Sequence, residues 1–241
     1  MQLINSTFEY PILTSSMRAK LLRYAAQMLN AQQNMLTPDG KNIIHYTLKN
    51  QDQLSHKKMV HYPLGDRIDT ITGSQYFYHC HRENMQTTEH GHFHCFLRYP
   101  QIPTRIKPTR LPDWDKYMKN PITHLVSIAM NQLGEPIRLF SVNRWVTSEI
   151  WYDAKHTPTF INRFKMTLTD DPHWVILDEW ITALIHLFAP QITWLNQTRD
   201  AAMARHKTSY TSSESIYEDR SIEELSEISI DIKQHIQWII A

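Results

Sequence analysis

"YHCHRENMQTTEHGHFHCFLRYP", residues 78–100, sets five histidines into the sixteen positions from His79 to His94. The chain holds 14 histidines in 241 residues, a density that would place about one in such a window. They fall on alternate positions, His79 and His81 first, then His90, His92 and His94. Alternation is the period of a β-strand, where residues i and i+2 point to one side about 6.7 Å apart. The stretch therefore predicts two strands joined by residues 82–89, an antiparallel hairpin with imidazoles on one face. Opposing His81 with His92 also opposes His79 with His94, at separations of about 4.5–5.5 Å.

Four imidazoles on a patch of that size can meet on one ion at metal–nitrogen distances of about 2.1 Å. Without an ion, facing pairs repel when charged and hydrogen-bond poorly when neutral. A single histidine on an apolar strand is usually a satisfied core residue. Five at alternate positions are not explained that way, and Phe77, Phe96 and Tyr99 beside them argue against a fully solvated face. The opposite face carries Tyr76, Tyr78, Cys80, Phe93, Cys95 and Leu97, which suits packing on helices and makes the two cysteines core residues rather than ligands. Glu83 and Glu89 flank the hairpin, and Asp66 and Asp69 precede it, as carboxylates able to orient bound imidazoles. His124 and Glu149, further on, can complete a three-histidine or histidine–carboxylate site. For each of these flanking groups a surface or capping role is the plainer alternative.

Around this centre the pattern is α+β. Residues 15–33 place Met17, Leu21, Ala25 and Met28 at helical spacing. "IIHYTL" from Ile43 and "SQYFYHCH" from Ser74 predict strands. A hairpin is expected with strands near 124–130 and 136–143 around "NQLGEP". Helices follow in "TPTFINRFKM" and from Asp171–Pro172, with Pro190 ending or kinking the latter. Beyond a polar stretch at 207–220, Ser221 and Glu224 form a capping-box pattern, and Ile222, Leu225, Ile228, Ile232, Ile236 and Ile239 make one helical stripe. The expected fold is a central antiparallel sheet or small barrel flanked by helices. One α+β domain spans 1–206, and 207–241 forms a flexible acidic link and an amphipathic C-terminal helix. That helix docks on the domain itself, on a second copy or on a partner.

Bulk properties exclude several functions. Net charge is +1, against a nucleic-acid-coating role. Seven acids between Glu214 and Asp231 face one base, Arg220, which leaves that segment at −6 and the remainder at +7. The five glycines never lie closer than eight residues, which rules out GxGxxG, Walker and GxSxG loops. Neither HExxH nor CxxC occurs. No apolar run approaches the roughly 20 residues of a membrane span, and the N-terminus lacks a signal pattern, so a cytoplasmic protein with reduced thiols and no membrane contact is expected.

"YHCHRE…EHGHFHCFLR" with "NRWVT" downstream resembles an uncharacterised bacterial family with a similar histidine-rich centre, over roughly residues 60–205. The resemblance implies that this centre is the working part and implies no activity. "HGHFHCF" (90–96) is similar to the histidine-triad motif of nucleotide hydrolases and transferases. On that likeness His92 is a nucleophile aided by His90 and His94. Gly91 and the extra histidine pair depart from the motif. His-x-His on a strand is also similar to the metal motif of cupin-type barrels, without their glycine-flanked spacing.

The function expected is binding of a divalent transition metal, zinc or iron, by His79, His81, His92, His94 and His124. If the ion is catalytic, it activates water or dioxygen for a small polar substrate, with Glu89, Glu149 or His90 moving the proton and Trp145, Trp151, Arg98 or Arg144 lining the pocket. A histidine-triad nucleotide hydrolase, or a structural-metal module without catalysis, are the alternatives.

Overall fold

A computed structural model describes residues 7–38, 40–49, 60–80, 88–111, 114–211 and 215–241. Among the described residues six strands form one antiparallel sheet in sequence order: β1 (Tyr62–Ile68), β2 (Ser74–Cys80), β3 (Glu89–Arg98), β4 (Ile122–Asn131), β5 (Pro136–Val142) and β6 (Glu224–Ser229). Strands β1 and β6 are its two edges, so the sheet is open, and of the two expected forms it is the sheet rather than the barrel. The histidine strands β2 and β3 lie inside it, and every residue of β2 is buried.

Helices flank the sheet, most of them on one face. They are α1 (Ser15–Met35), α2 (Ile43–Thr47), α3 (Trp114–Tyr117), α4 (Arg144–Thr147), α5 (Thr157–Arg163), α6 (Pro172–Leu187), α7 (Ala189–Ser209) and α8 (Ile232–Ile240). The main core lies between this layer and the sheet. It contains Tyr76, Tyr78, Cys80, Phe93, Cys95 and Leu97, the side of the hairpin expected to face helices, packed with Trp180, Leu184 and their neighbours. Asp171 caps α6 by accepting from His173 N at 3.0 Å, and the chain bends by 69° between α6 and α7, where Pro190 prevents a straight continuation. No single helix among the described residues is long and apolar enough to cross a membrane.

Two expected elements differ. "IIHYT" is α2, not a strand: Asn42 accepts from Ile44 N at 2.9 Å, and the His45 ring reaches back to Asn42 N at 3.3 Å. This reciprocal cap satisfies the helix start locally and outweighs the β propensity of two isoleucines. The helix expected from Ser221 is divided. Asp219 takes the Ser221 hydroxyl at 2.7 Å, removing the proposed cap, and residues 224–229 pair with β5 instead. A free sheet edge supplies a backbone partner for each alternate residue, and Ser226, buried at this edge, bonds Leu195 O at 2.8 Å and Ser141 Oγ at 2.6 Å. Helix α8 then starts at its own cap, Asp231, and docks on the protein's own surface through His235, whose Nε2 bonds Leu187 O at 3.0 Å.

Candidate metal centre

The register of β2 with β3 pairs Phe77 with His94 and His79 with His92. The expected pairing, His79 with His94, is off by two residues. A shift of two preserves the face of every side chain, so the imidazoles still share one side of the sheet. His81 and Glu83 fall outside the described residues. Gly91 sits opposite Cys80, and a Cβ there would lie 2.4 Å from the carbonyl oxygen of His79, so this close approach of the strands requires glycine.

Three imidazoles converge. His92 Nε2 lies 2.7 Å from His79 Nε2 and 3.1 Å from His94 Nε2. All three residues are buried and offer ligand atoms within 4.8 Å of one another. Tetrahedral coordination at about 2.1 Å sets ligand nitrogens about 3.4 Å apart, so an ion fits once the rings withdraw by a few tenths of an ångström.

Two irregularities in the ladder determine what surrounds the cluster. Between Glu89 and Gly91, β3 carries an extra residue against β4. That bulge turns His90, expected among the clustered rings, to the helical side, where its Nδ1 lies 2.7 Å from Tyr78 Oη. Glu89 takes the vacated side, with Oε1 at 2.8 Å from His92 Nδ1. A carboxylate there holds the proton on Nδ1 and leaves the Nε2 lone pair facing the cluster, the usual arrangement behind a metal-bound histidine. Burial alone would raise the Glu89 carboxyl, but its bonds to His92 and Arg138 outweigh burial and hold it below the usual value.

The second irregularity lies where Cys95 faces Val126 but Phe96 faces His124, an extra residue on β4. It brings His124 Nε2 to 3.3 Å from His94 Nδ1, with Ser127 Oγ 2.9 Å from the same nitrogen. His124 thus abuts the rear of His94, one ring away from the converging atoms, and orients that ring. Glu149, 1% exposed, accepts the His124 backbone N–H at 2.7 Å and closes the bulge. Burial lifts its carboxyl to about 7, against the Arg199 charge and these bonds. Burial likewise holds His124 at about 3, and burial and neighbouring imidazoles hold His94 well below the usual histidine range.

The triad opens into a cleft of about 610 Å³. Phe140, Val142 and Val146 form its apolar wall, and Glu89, Arg138, Glu223 and Glu224 its charged rim. A second groove of about 480 Å³, between Phe8, Met17 and Trp194, is more apolar and holds no such convergence of ring nitrogens. The thiols stay out of the chemistry, since burial pushes Cys80 up to about 12 and Cys95 higher still.

Several residues expected at the pocket face elsewhere. Arg98 bonds Gln75, Arg144 bonds Glu218, Trp145 donates to Ile222 O, and Trp151 stacks with Arg199. Asp69 closes the turn before β2 by accepting from Ile71 N and Thr72 N. Asp66 bonds His61 at 2.7 Å. His61 was not foreseen: its ring stacks on Phe77 at 3.6 Å and lies 6.1 Å, edge to face, from His79. Its only sequence signal is the short step from "HYPLGD" to β2. Arg138 and Glu224 had none, because the strands that carry them stand far from the hairpin in the chain.

No curated protein and no solved structure matches the chain. A family model matches residues 23–230, a span that contains all six strands and the whole histidine cluster, and the chain belongs to that family, described as "Domain of unknown function (DUF6969)".

Proposed function

We propose that the protein is a metal-dependent enzyme that binds one divalent transition ion, zinc or iron, through His79, His92 and His94. The observation that carries this is the convergence of three buried Nε2 atoms, 2.7 and 3.1 Å apart about His92, with Glu89 behind that ring. Protonating such a cluster is opposed by burial, as the depressed His94 shows. A cation shared by three lone pairs satisfies it instead. Among the described residues the cluster offers three ligands and borders the cleft, which would suit a catalytic ion with a bound water and a substrate.

When bound, such an ion supplies Lewis acidity and lowers the pKa of a coordinated water. The chain's own groups do the rest. Glu89 orients His92, while Ser127 and His124 orient His94. The wall of Phe140, Val142 and Val146 limits water and holds the apolar part of a small substrate. Hydrolytic and oxidative reactions both fit this donor set. A histidine-triad mechanism would need His90 beside His92, and His90 sides with Tyr78. The reduced, buried Cys80 and Cys95 suit a cytoplasmic location.

Elemental analysis of protein purified without an affinity tag or chelator tests the proposal. About one zinc or iron per chain is expected, lost in His92→Ala and His94→Ala while circular dichroism stays native. Metal-free protein that also refuses added zinc and iron would overturn it.

A further inference from the structure

The acidic C-terminal segment reads in sequence as a link and an amphipathic helix, yet it supplies a strand that reaches the histidine cluster. Arg138 on β5 is the link. Its Nη2 lies 3.1 Å from Glu89 Oε2 and 3.1 Å from Glu224 Oε1, and its Nη1 bonds Glu224 Oε2 and, at 2.8 Å, Glu227 Oε2. The four terminal N–H groups of the guanidinium are thereby committed to three carboxylates. Arg138 is consequently no free clamp for an anionic substrate, although it lines the cleft. Its other contacts run the same way: the guanidinium carbon sits 4.3 Å over Phe140, and Phe140 meets His92 edge to face at 5.0 Å.

Glu89 is the carboxylate that orients His92, so whatever fixes Glu89 fixes a ligand. We propose that Arg138, held by Glu224 and Glu227 of the edge strand β6, is a positioning residue for the metal centre. Strand β6 is thereby coupled to metal occupancy. This rests on the metal reading above. A fork that spans two carboxylates sets both distance and plane, which a flexible lysine cannot do. Coupling of this kind is reciprocal: if docked β6 tightens the ion, the bound ion tightens β6 on the sheet by the same factor. A protein or peptide that lifted β6 from its edge position would loosen the ion.

The test uses the full chain and zinc alone. Zinc affinity is measured by competition with a chromophoric chelator for wild type, Arg138→Gln, Arg138→Lys and the double change Glu224→Gln/Glu227→Gln. Affinity should fall roughly tenfold in Arg138→Gln and in the double variant, the lower end for groups that orient metal ligands, with part of it restored in Arg138→Lys. The visible bands of the cobalt-substituted protein should shift in the same variants. Glu218→Gln, which touches Arg144 away from the cleft, should alter neither. In wild type, added zinc should slow hydrogen exchange of the β6 amides. If Arg138→Gln does not fold, the single Glu224→Gln and Glu227→Gln changes at the sheet edge carry the comparison. Wild type that binds zinc tightly, with all variants equal to it and β6 exchange unmoved, would overturn this link alone. Wild type that binds no metal would overturn the metal reading and the link together.

Discussion

Replacing Gly91 with alanine tests the strand register on which the whole site depends. The added Cβ would sit 2.4 Å from the His79 carbonyl oxygen, 2.7 Å from Tyr78 Oη and 2.9 Å from Tyr78 Cζ. Ordinary contact begins near 3.4 Å, so the first of these falls short by about 1 Å. The obstacle is backbone, and β2 and β3 are each paired on both sides, so neither strand can swing outward. Over-packing of this kind costs about 1–3 kcal/mol. For a chain of this size each kcal/mol moves Tm by about 2–4 °C, so a drop of about 2–12 °C is expected. Parting His79 from His92 also spoils a ligand pair that stands 2.7 Å apart, so zinc affinity should fall as well. The assays are thermal unfolding of chelator-treated protein followed by zinc competition. In a register with His81 facing His92, Gly91 would not meet the His79 carbonyl. A Tm and zinc affinity equal to wild type would therefore refute the observed pairing and the triad with it.

Further outcomes follow from the same geometry. Glu89→Gln keeps the volume but removes the charge behind His92, and zinc affinity measured by competition should drop about 10–100-fold with the fold intact. An unchanged affinity would remove Glu89 from the centre. Ser127→Ala deletes the hydroxyl 2.9 Å from His94 Nδ1 and should weaken zinc binding by less than Glu89→Gln, since His124 still abuts that nitrogen; isothermal titration of both variants decides the order. In metal-free protein, buried His124 and His235 are held at about 3 and about 4 against an ordinary 6.5. The unfolded chain then binds more protons than the folded one below pH 6.5, and stability falls as pH is lowered through that window. Glu149, raised from 4.5 to about 7, acts the other way, losing stability as pH rises from 4.5 through 7. Glu149→Gln should accordingly steepen the acid loss between pH 4.5 and 6.5 by up to about 1.4 kcal/mol per pH unit, read from urea midpoints; an unaltered slope would refute the assignment.

Much of the site was legible because a strand's side-chain period is short and local. Alternation alone placed His79, His92 and His94 on one face and Tyr78, Phe93 and both cysteines on the other, and a register error of two residues left that division intact. The first helix, the 122–142 hairpin and the break at Pro190 were readable for the same reason, each being signalled within a few residues. Reading failed where one residue was inserted into a ladder. The bulge at His90 sent that ring to Tyr78 and set Glu89, one of the carboxylates expected to orient an imidazole, behind His92; Gly91 is its one local sign.

The sequence by itself determined the class of fold, the two faces of the central hairpin and the crowding of imidazoles on one of them. Only tertiary structure decided which rings meet, which carboxylate stands behind them and that residues 224–229 form a strand rather than a helix. Helical and strand patterns for that last segment compete closely in local terms. An open edge of backbone donors and acceptors, with Arg138 waiting across it, tips the balance, and both come from β5 some 86 residues earlier.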